Sequence, residues 1–215
     1  MASEVRAVSR GELPLTVRDV EVEVRVLSGE PGVREVWARV DIAAPAELVW
    51  RTLTDYERLS DIVPSLDVNR VLQRWTGGVR LEQVAAQELG FGLRFSATAT
   101  LDIEELPNGL PRTQPATVTQ RRVVPRSPGP PPASVRDICF TLVESRDLRR
   151  FTGTWRIESR DRVSRLLYAV HVQPQVRVCF CICVSFLNLC FPGTRSRGCL
   201  LALLRNAYGE TSKAI

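Results

Sequence analysis

From Arg34 to Leu59 the chain reads REVWARVDIAAPAELVWRTLTDYERL, and this stretch narrows the choice of fold more than any other. Val36, Ala38, Val40 and Ile42 alternate with Glu35, Arg39 and Asp41. A period of two marks a strand with one buried face. After Ala43-Ala44-Pro45 the period changes, and Val49, Trp50 and Leu53 fall on one side of a helix. Proline suits a helix start because its missing N–H has no intrahelical partner there. A second short helix then runs towards Pro64, and a new strand follows.

The same alternation recurs along the chain. Val20, Val22, Val24 and Val26 precede a Ser-Gly-Glu-Pro-Gly turn, which predicts a hairpin with the Arg34–Ile42 strand. Leu66, Val68 and Leu72 lead to Trp75 and a turn at Gly77-Gly78, and Val79 to Leu89 continues the meander. Leu93, Phe95, Ala97, Ala99, Leu101 and Ile103 form the cleanest apolar face, opposed by Arg94, Ser96, Thr98, Thr100, Asp102 and Glu104. Three more strands are predicted around Ile138–Leu142, Phe151–Ile157 and Leu166–Val172. An antiparallel sheet with one wet face reads this way.

Two regions break the pattern. Residues 107–134 hold more than half of the 14 prolines, and proline removes ladder donors, so a central strand is excluded there. A loop or disordered insertion is expected, with at most a weak edge strand at Thr117–Val124. After Pro174 comes VRVCFCICVSFLNLCF, apolar but without a helical stripe and shorter than the roughly 20 residues a spanning helix needs. The domains therefore read as a flexible N-terminus (1–17), one sheet domain (18–174) carrying the 107–134 insertion, and an atypical Cys/Phe-rich segment (175–215).

Charge and rare residues exclude several kinds of chemistry. The net charge of +5 comes from arginines interleaved with acids, not from the clustered basic face with aromatics that nucleic acid requires. A single histidine, His171, removes most triad and multi-histidine metal schemes and is read as a surface residue. Five of the six cysteines fall between Cys179 and Cys199, unlike a disulfide framework, and Cys139 reads as a buried small hydrophobe in a reducing compartment. Met-Ala-Ser with scattered Arg hints at an organellar transit peptide, whereas Glu4, Glu12 and the early strand argue against a complete one.

The segments LVWRTLTDYERLSDIVPSL, FSATATLDI, RDICFTLVESRDLRRFTGTWRIES and LLYAVHVQP together resemble the START-like (helix-grip) superfamily. The nearest likeness is to its coenzyme Q-binding/polyketide cyclase branch, of plant and cyanobacterial type. It covers most of Val20 to Pro174 outside the insertion. The resemblance implies an α+β fold, a curved antiparallel sheet with two short helices near the N-terminus, gripping a long C-terminal helix over a hydrophobic cavity. The Cys/Phe-rich run departs from such a helix, so the closing helix is expected to be atypical or missing and 175–215 poorly ordered. A chloroplast location follows from the resemblance, with the cytoplasm as the alternative.

The resemblance also implies a lipid, a quinone or a similar molecule as ligand, bound and not transformed; the rivals are a polyketide cyclase or aromatase and an inactive form. The expected lining is Tyr56, Ile62, Phe91, Phe95, Ala97, Ala99, Phe140, Phe151, Trp155 and Tyr168. Ala97, Ala99 and Gly153 are small residues on apolar faces, and the volume they leave is taken by a helix, by a ligand or by both. Val49 and Trp50 read as core, Asp55 as the cap of the second helix, and the Tyr56 hydroxyl as a donor to a ligand carbonyl. Glu104, Glu105 and Asp147 read as solvated strand ends and turns. No catalytic residue, metal or cofactor is assigned. The expected partners are a hydrophobic small molecule and, transiently, a membrane, but not nucleic acid; the chain is expected to be a monomer.

Overall fold

A computed structural model describes residues 17–27, 29–63, 66–90, 93–110, 123–160 and 163–175. The expectations for 1–16 and for the Cys/Phe-rich segment from 176 onward fall outside the described residues, as does Phe91; the side chains of Ile62 and Phe95 are likewise not described.

Among the described residues, eight strands are interrupted once by a short helical excursion. β1 (Val17–Val26) and β2 (Arg34–Ile42) form the first hairpin; α1 (Ala46–Thr54), a 3₁₀ turn (Tyr56–Arg58) and α2 (Leu59–Ile62) follow. Then come β3 (Leu66–Trp75), β4 (Gly78–Gly90), β5 (Leu93–Leu106), β6 (Ser134–Ser145), β7 (Leu148–Arg160) and β8 (Val163–Pro174). All pair antiparallel in one sheet of order β1-β2-β8-β7-β6-β5-β4-β3. The helical excursion carries the chain from β2 to the far edge, where β3 starts the meander that returns to β2 through β8. Register shifts in β3, between β5 and β6 and at the start of β7 mark bulges, which bend strands and raise their twist. The fold is the curved antiparallel sheet of the helix-grip class.

Alternation sets one continuous inner face. Cross-strand register aligns Val36, Val170, Gly153, Phe140, Ile103 and Val79 in one row, and Ala38, Tyr168, Trp155, Ile138 and Glu105 in the next. Apart from Gly153 and Glu105, these belong to the buried cluster that includes Ala44, Val49 and Tyr56, with Trp155 half-buried against it, so the helices sit against this face. Pro45 occupies the N-cap of α1, where its carbonyl accepts the Leu48 and Val49 N–H groups at 3.0 and 3.3 Å. Asp55 stands at the start of the 3₁₀ turn but caps through its backbone: its carbonyl accepts the Arg58 N–H at 3.2 Å, and its carboxylate makes no cap bond.

The outer face is not uniformly wet. Asp137, Thr154 and Glu158 are fully buried on β6 and β7, and the described part of the proline-rich insertion is held over the neighbouring strands. The Trp37 indole N–H donates to the Arg126 carbonyl (3.2 Å), Arg165 Nη1 to the Pro128 carbonyl (2.9 Å) and Ala133 N–H to the Ser159 carbonyl (3.0 Å). Val123 is buried, and neither it nor Val124 is in a strand; the rest of the weak strand expected at 117–124 lies outside the described residues. Residues 123–133 are therefore irregular yet fixed, because side chains from β2 and β8 satisfy carbonyls that proline-rich backbone cannot pair in a ladder. Beneath them run two bidentate pairs, Arg156–Asp137 (2.9 and 2.9 Å) and Arg165–Asp41 (2.7 and 3.0 Å). Cys139 is buried on this face, with the Thr154 hydroxyl 3.6 Å from its sulfur.

Candidate functional site

Strands β6, β7 and β8 each contribute aromatic side chains to the inner face, because Phe140, Phe151, Trp155 and Tyr168 share its parity. Their rings form a ladder: Phe151 to Phe140 at 5.1 Å, Phe140 to Tyr168 at 5.8 Å, and Tyr168 to Trp155 at 4.4 Å between centroids. Gly153 makes the ladder possible. A Cβ there would lie 2.4 Å from Phe140 Cζ and 2.3 Å from the Ala169 carbonyl, so the ring occupies the space the glycine leaves. The volume expected from Gly153 is thus filled by Phe140, a neighbour on the next strand.

Towards β4 the face becomes small. Ala85 lies opposite Ala97, Ala99 opposite Gln83, and all three alanines are buried. At the helical end the face becomes polar. The Tyr56 hydroxyl, from the 3₁₀ turn, donates to Glu105 Oε1 of β5 at 2.9 Å. Asn69 Nδ2 donates to the Tyr56 carbonyl at 2.5 Å, and Gln83 Nε2 to Asn69 Oδ1 at 2.8 Å. Burial, and then the charge and hydrogen bond of the Glu105 carboxylate, push the Tyr56 phenol far above its ordinary range, so it keeps its proton. Arg136 of β6 closes this end, pairing with Glu47 at 2.7 Å and lying 5.5 Å from the Trp50 ring centroid.

A family model described as polyketide cyclase / dehydrase and lipid transport matches residues 42–182. The chain belongs to that family. Among solved structures it is similar to a STAR-related lipid transfer protein from Xanthomonas axonopodis, with 14% identity, 91% of this chain and 99% of that one covered, and a TM-score of 0.59. It is also similar to the Zhui aromatase/cyclase from Streptomyces sp. R1128 (17% identity, 83% and 96% covered, TM-score 0.55) and to human STARD10 (12%, 95% and 78%, 0.55). At these identities the likeness is one of fold. No curated protein matched the chain significantly.

Within this polyketide cyclase and lipid transport fold, the inner face brings together seven of the ten expected lining residues: Tyr56, Ala97, Ala99, Phe140, Phe151, Trp155 and Tyr168. Two expectations change. Tyr56 gives its hydroxyl to Glu105, not outward as a free donor. Glu105, read as a solvated strand end, sits on the inner face, because parity from Ile103 carries it there. Sequence reasoning missed Glu105, Asn69, Gln83 and Arg136; parity alone would have flagged Glu105, but its partner lies 49 residues away. His171 lies on the opposite face to Tyr168, half-buried and 3.7 Å from Glu35. Among the described residues no three acidic, histidine or cysteine side chains are grouped for a metal.

Proposed function

We infer that the chain binds a hydrophobic small molecule against the inner face of its sheet. One observation carries this reading: four aromatic side chains from three strands form a single ladder beside a patch of buried alanines, in a family whose description includes lipid transport. Apolar walls with few polar groups are how proteins hold such ligands. Burying apolar ligand surface at roughly 25 cal/mol per Å² supplies the affinity, and the polar end near Tyr56 sets orientation. The name of the Xanthomonas protein, a STAR-related lipid transfer protein, supports lipid as a ligand class. The coenzyme Q-binding likeness of the sequence supports a quinone, and with it a plant-type protein of the chloroplast. Titrating the purified full chain with 1-aminoanthracene, and then displacing the dye with a short-chain quinone or a phospholipid, tests the reading. Saturable binding and displacement by either competitor are expected; no saturable binding contradicts it.

A second reading is favoured by Glu105. A carboxylate beside a tyrosine on an apolar face is suited to moving a proton on a polyketide, and the similar Zhui protein is named an aromatase/cyclase. Turnover of a linear polyketide mimic, abolished in Glu105→Gln while dye binding persists, would establish the enzyme; binding without turnover in the unaltered chain leaves the binder.

A further inference from the structure

The polar end of the inner face is organised around one carboxylate. The Tyr56 hydroxyl is committed to Glu105 Oε1, one Asn69 N–H to the Tyr56 carbonyl and one Gln83 N–H to Asn69 Oδ1. Each amide keeps a second N–H, whereas the polar group in the cross-strand row of Trp155 and Tyr168 is an acceptor, Glu105. The second oxygen of Glu105 makes no hydrogen bond among the described residues, Arg74 acting on the carboxylate through its charge alone, and the Tyr56 oxygen keeps a lone pair. Tyr56 is 2% exposed, whereas Glu105 is only part-buried, so its carboxylate is the accessible member of the pair. An ionised carboxylate accepts and cannot donate. A ligand carbonyl or ether set against it faces lone pair with lone pair, whereas a hydroxyl completes the chain of bonds.

Position adds shape to this chemistry. Glu105, Ile138, Trp155 and Tyr168 lie in one cross-strand row, so two strand spacings, roughly 10 Å, separate the carboxylate from the Trp155 position. The Trp155 and Tyr168 rings meet there at 4.4 Å, tilted by 43°, with Trp155 the partly exposed member. Charge argues against a cation as the donor: Arg74 acts on Tyr56, and Arg136 lies two residues from Ile138 on the same strand and face.

We propose that the ligand carries a free hydroxyl, held by the Glu105 carboxylate, on an aromatic body that lies along Trp155 and Tyr168. This rests on the binding reading above and names the chemical class, phenols and hydroquinones over quinones and ethers. The full chain is titrated at pH 7 with 2-naphthol and with its methyl ether, 2-methoxynaphthalene, which differ only in the donor. About tenfold tighter binding of the naphthol is expected, the size of one hydrogen bond to a charged group. Glu105→Gln should bring the two within about threefold. Tyr56→Phe frees Oε1 and should keep the preference, which guards against a variant that merely misfolds. Equal binding of both compounds by the unaltered chain overturns the hydroxyl assignment and leaves the binding site standing. So does a preference that survives in Glu105→Gln and collapses in Tyr56→Phe. If neither compound binds, the binding reading falls, and this one with it.

Discussion

Gly153 and Tyr56 show how single residues organise the inner face. At Gly153 a methyl group would meet backbone on one side and the Phe140 ring on the other, and backbone cannot yield as a side chain does. Gly153→Ala is expected to cost about 1–3 kcal/mol, seen as a lower urea midpoint with unchanged slope. Tyr56 supplies a pH signature. Its unfolded form loses the phenolic proton near 10.0, whereas the folded form holds it to higher pH. The stabilisation is therefore complete below pH 10.0 and drains away as the pH climbs through the folded value. Melting temperature should fall more steeply above pH 10 in the full chain than in Tyr56→Phe, and parallel curves would contradict the pairing. These residues were only half legible. Parity put Gly153 and Phe140 on one face, yet only register across two strands shows the ring filling the glycine's space. Glu105 was misread because an acid near a strand end is usually solvated, and nothing local announces a tyrosine 49 residues earlier.

At the scale of elements, the proline-rich connection is a strap across the outer face, fixed by Trp37, Arg165 and the Ser159 carbonyl. Arg165 joins two jobs, gripping Asp41 with both nitrogens of its fork and the Pro128 carbonyl with Nη1. Arg165→Ala should speed tryptic cleavage after the exposed Arg126 by about fivefold by loosening the segment locally, whereas an unchanged rate would show that the strap is held by other means. The Arg165 hydrogen bonds also keep the Asp41 carboxyl below its ordinary 3.8, against the opposing effect of burial. A depressed carboxylate stabilises the fold above pH 3.8, and that contribution is lost as the pH falls through its folded value. Asp41→Asn should flatten this acid limb in a melting-temperature profile. Proline content told where a strand could not be, but not where the segment docks, because its anchors come from β2, β7 and β8, far along the chain. Asp137 and Glu158, polar members of an alternating pattern, are buried where a wet face was expected, Asp137 accepting from the Leu110 N–H and from Arg156, and Glu158 from Arg160.

For the whole molecule, the strands were legible because each apolar face repeats with a period of two; Leu66–Trp75 and Arg34–Ile42 match the expected bounds, whereas β6, β7 and β8 run two to four residues further at each end than their apolar alternation marked. Alternation does not reveal which strands are neighbours. Only the register shows that β2 pairs with β8 and that β3 ends at the opposite edge. The candidate site was legible where it is apolar and periodic, and illegible where it is polar and assembled across the chain. Its central claim is that the small-residue end of the inner face holds a ligand, and Ala97, 2% exposed and opposite Ala85, is the place to challenge it. The deciding measurement is native mass spectrometry of the full chain and of Ala97→Trp, each loaded with 1-aminoanthracene and checked for an unchanged melting temperature. One bound dye in the parent and none in a folded Ala97→Trp is the predicted result. Equal occupancy in both, or an unfolded variant that shows Ala97 packed with no room beside it, would contradict the account.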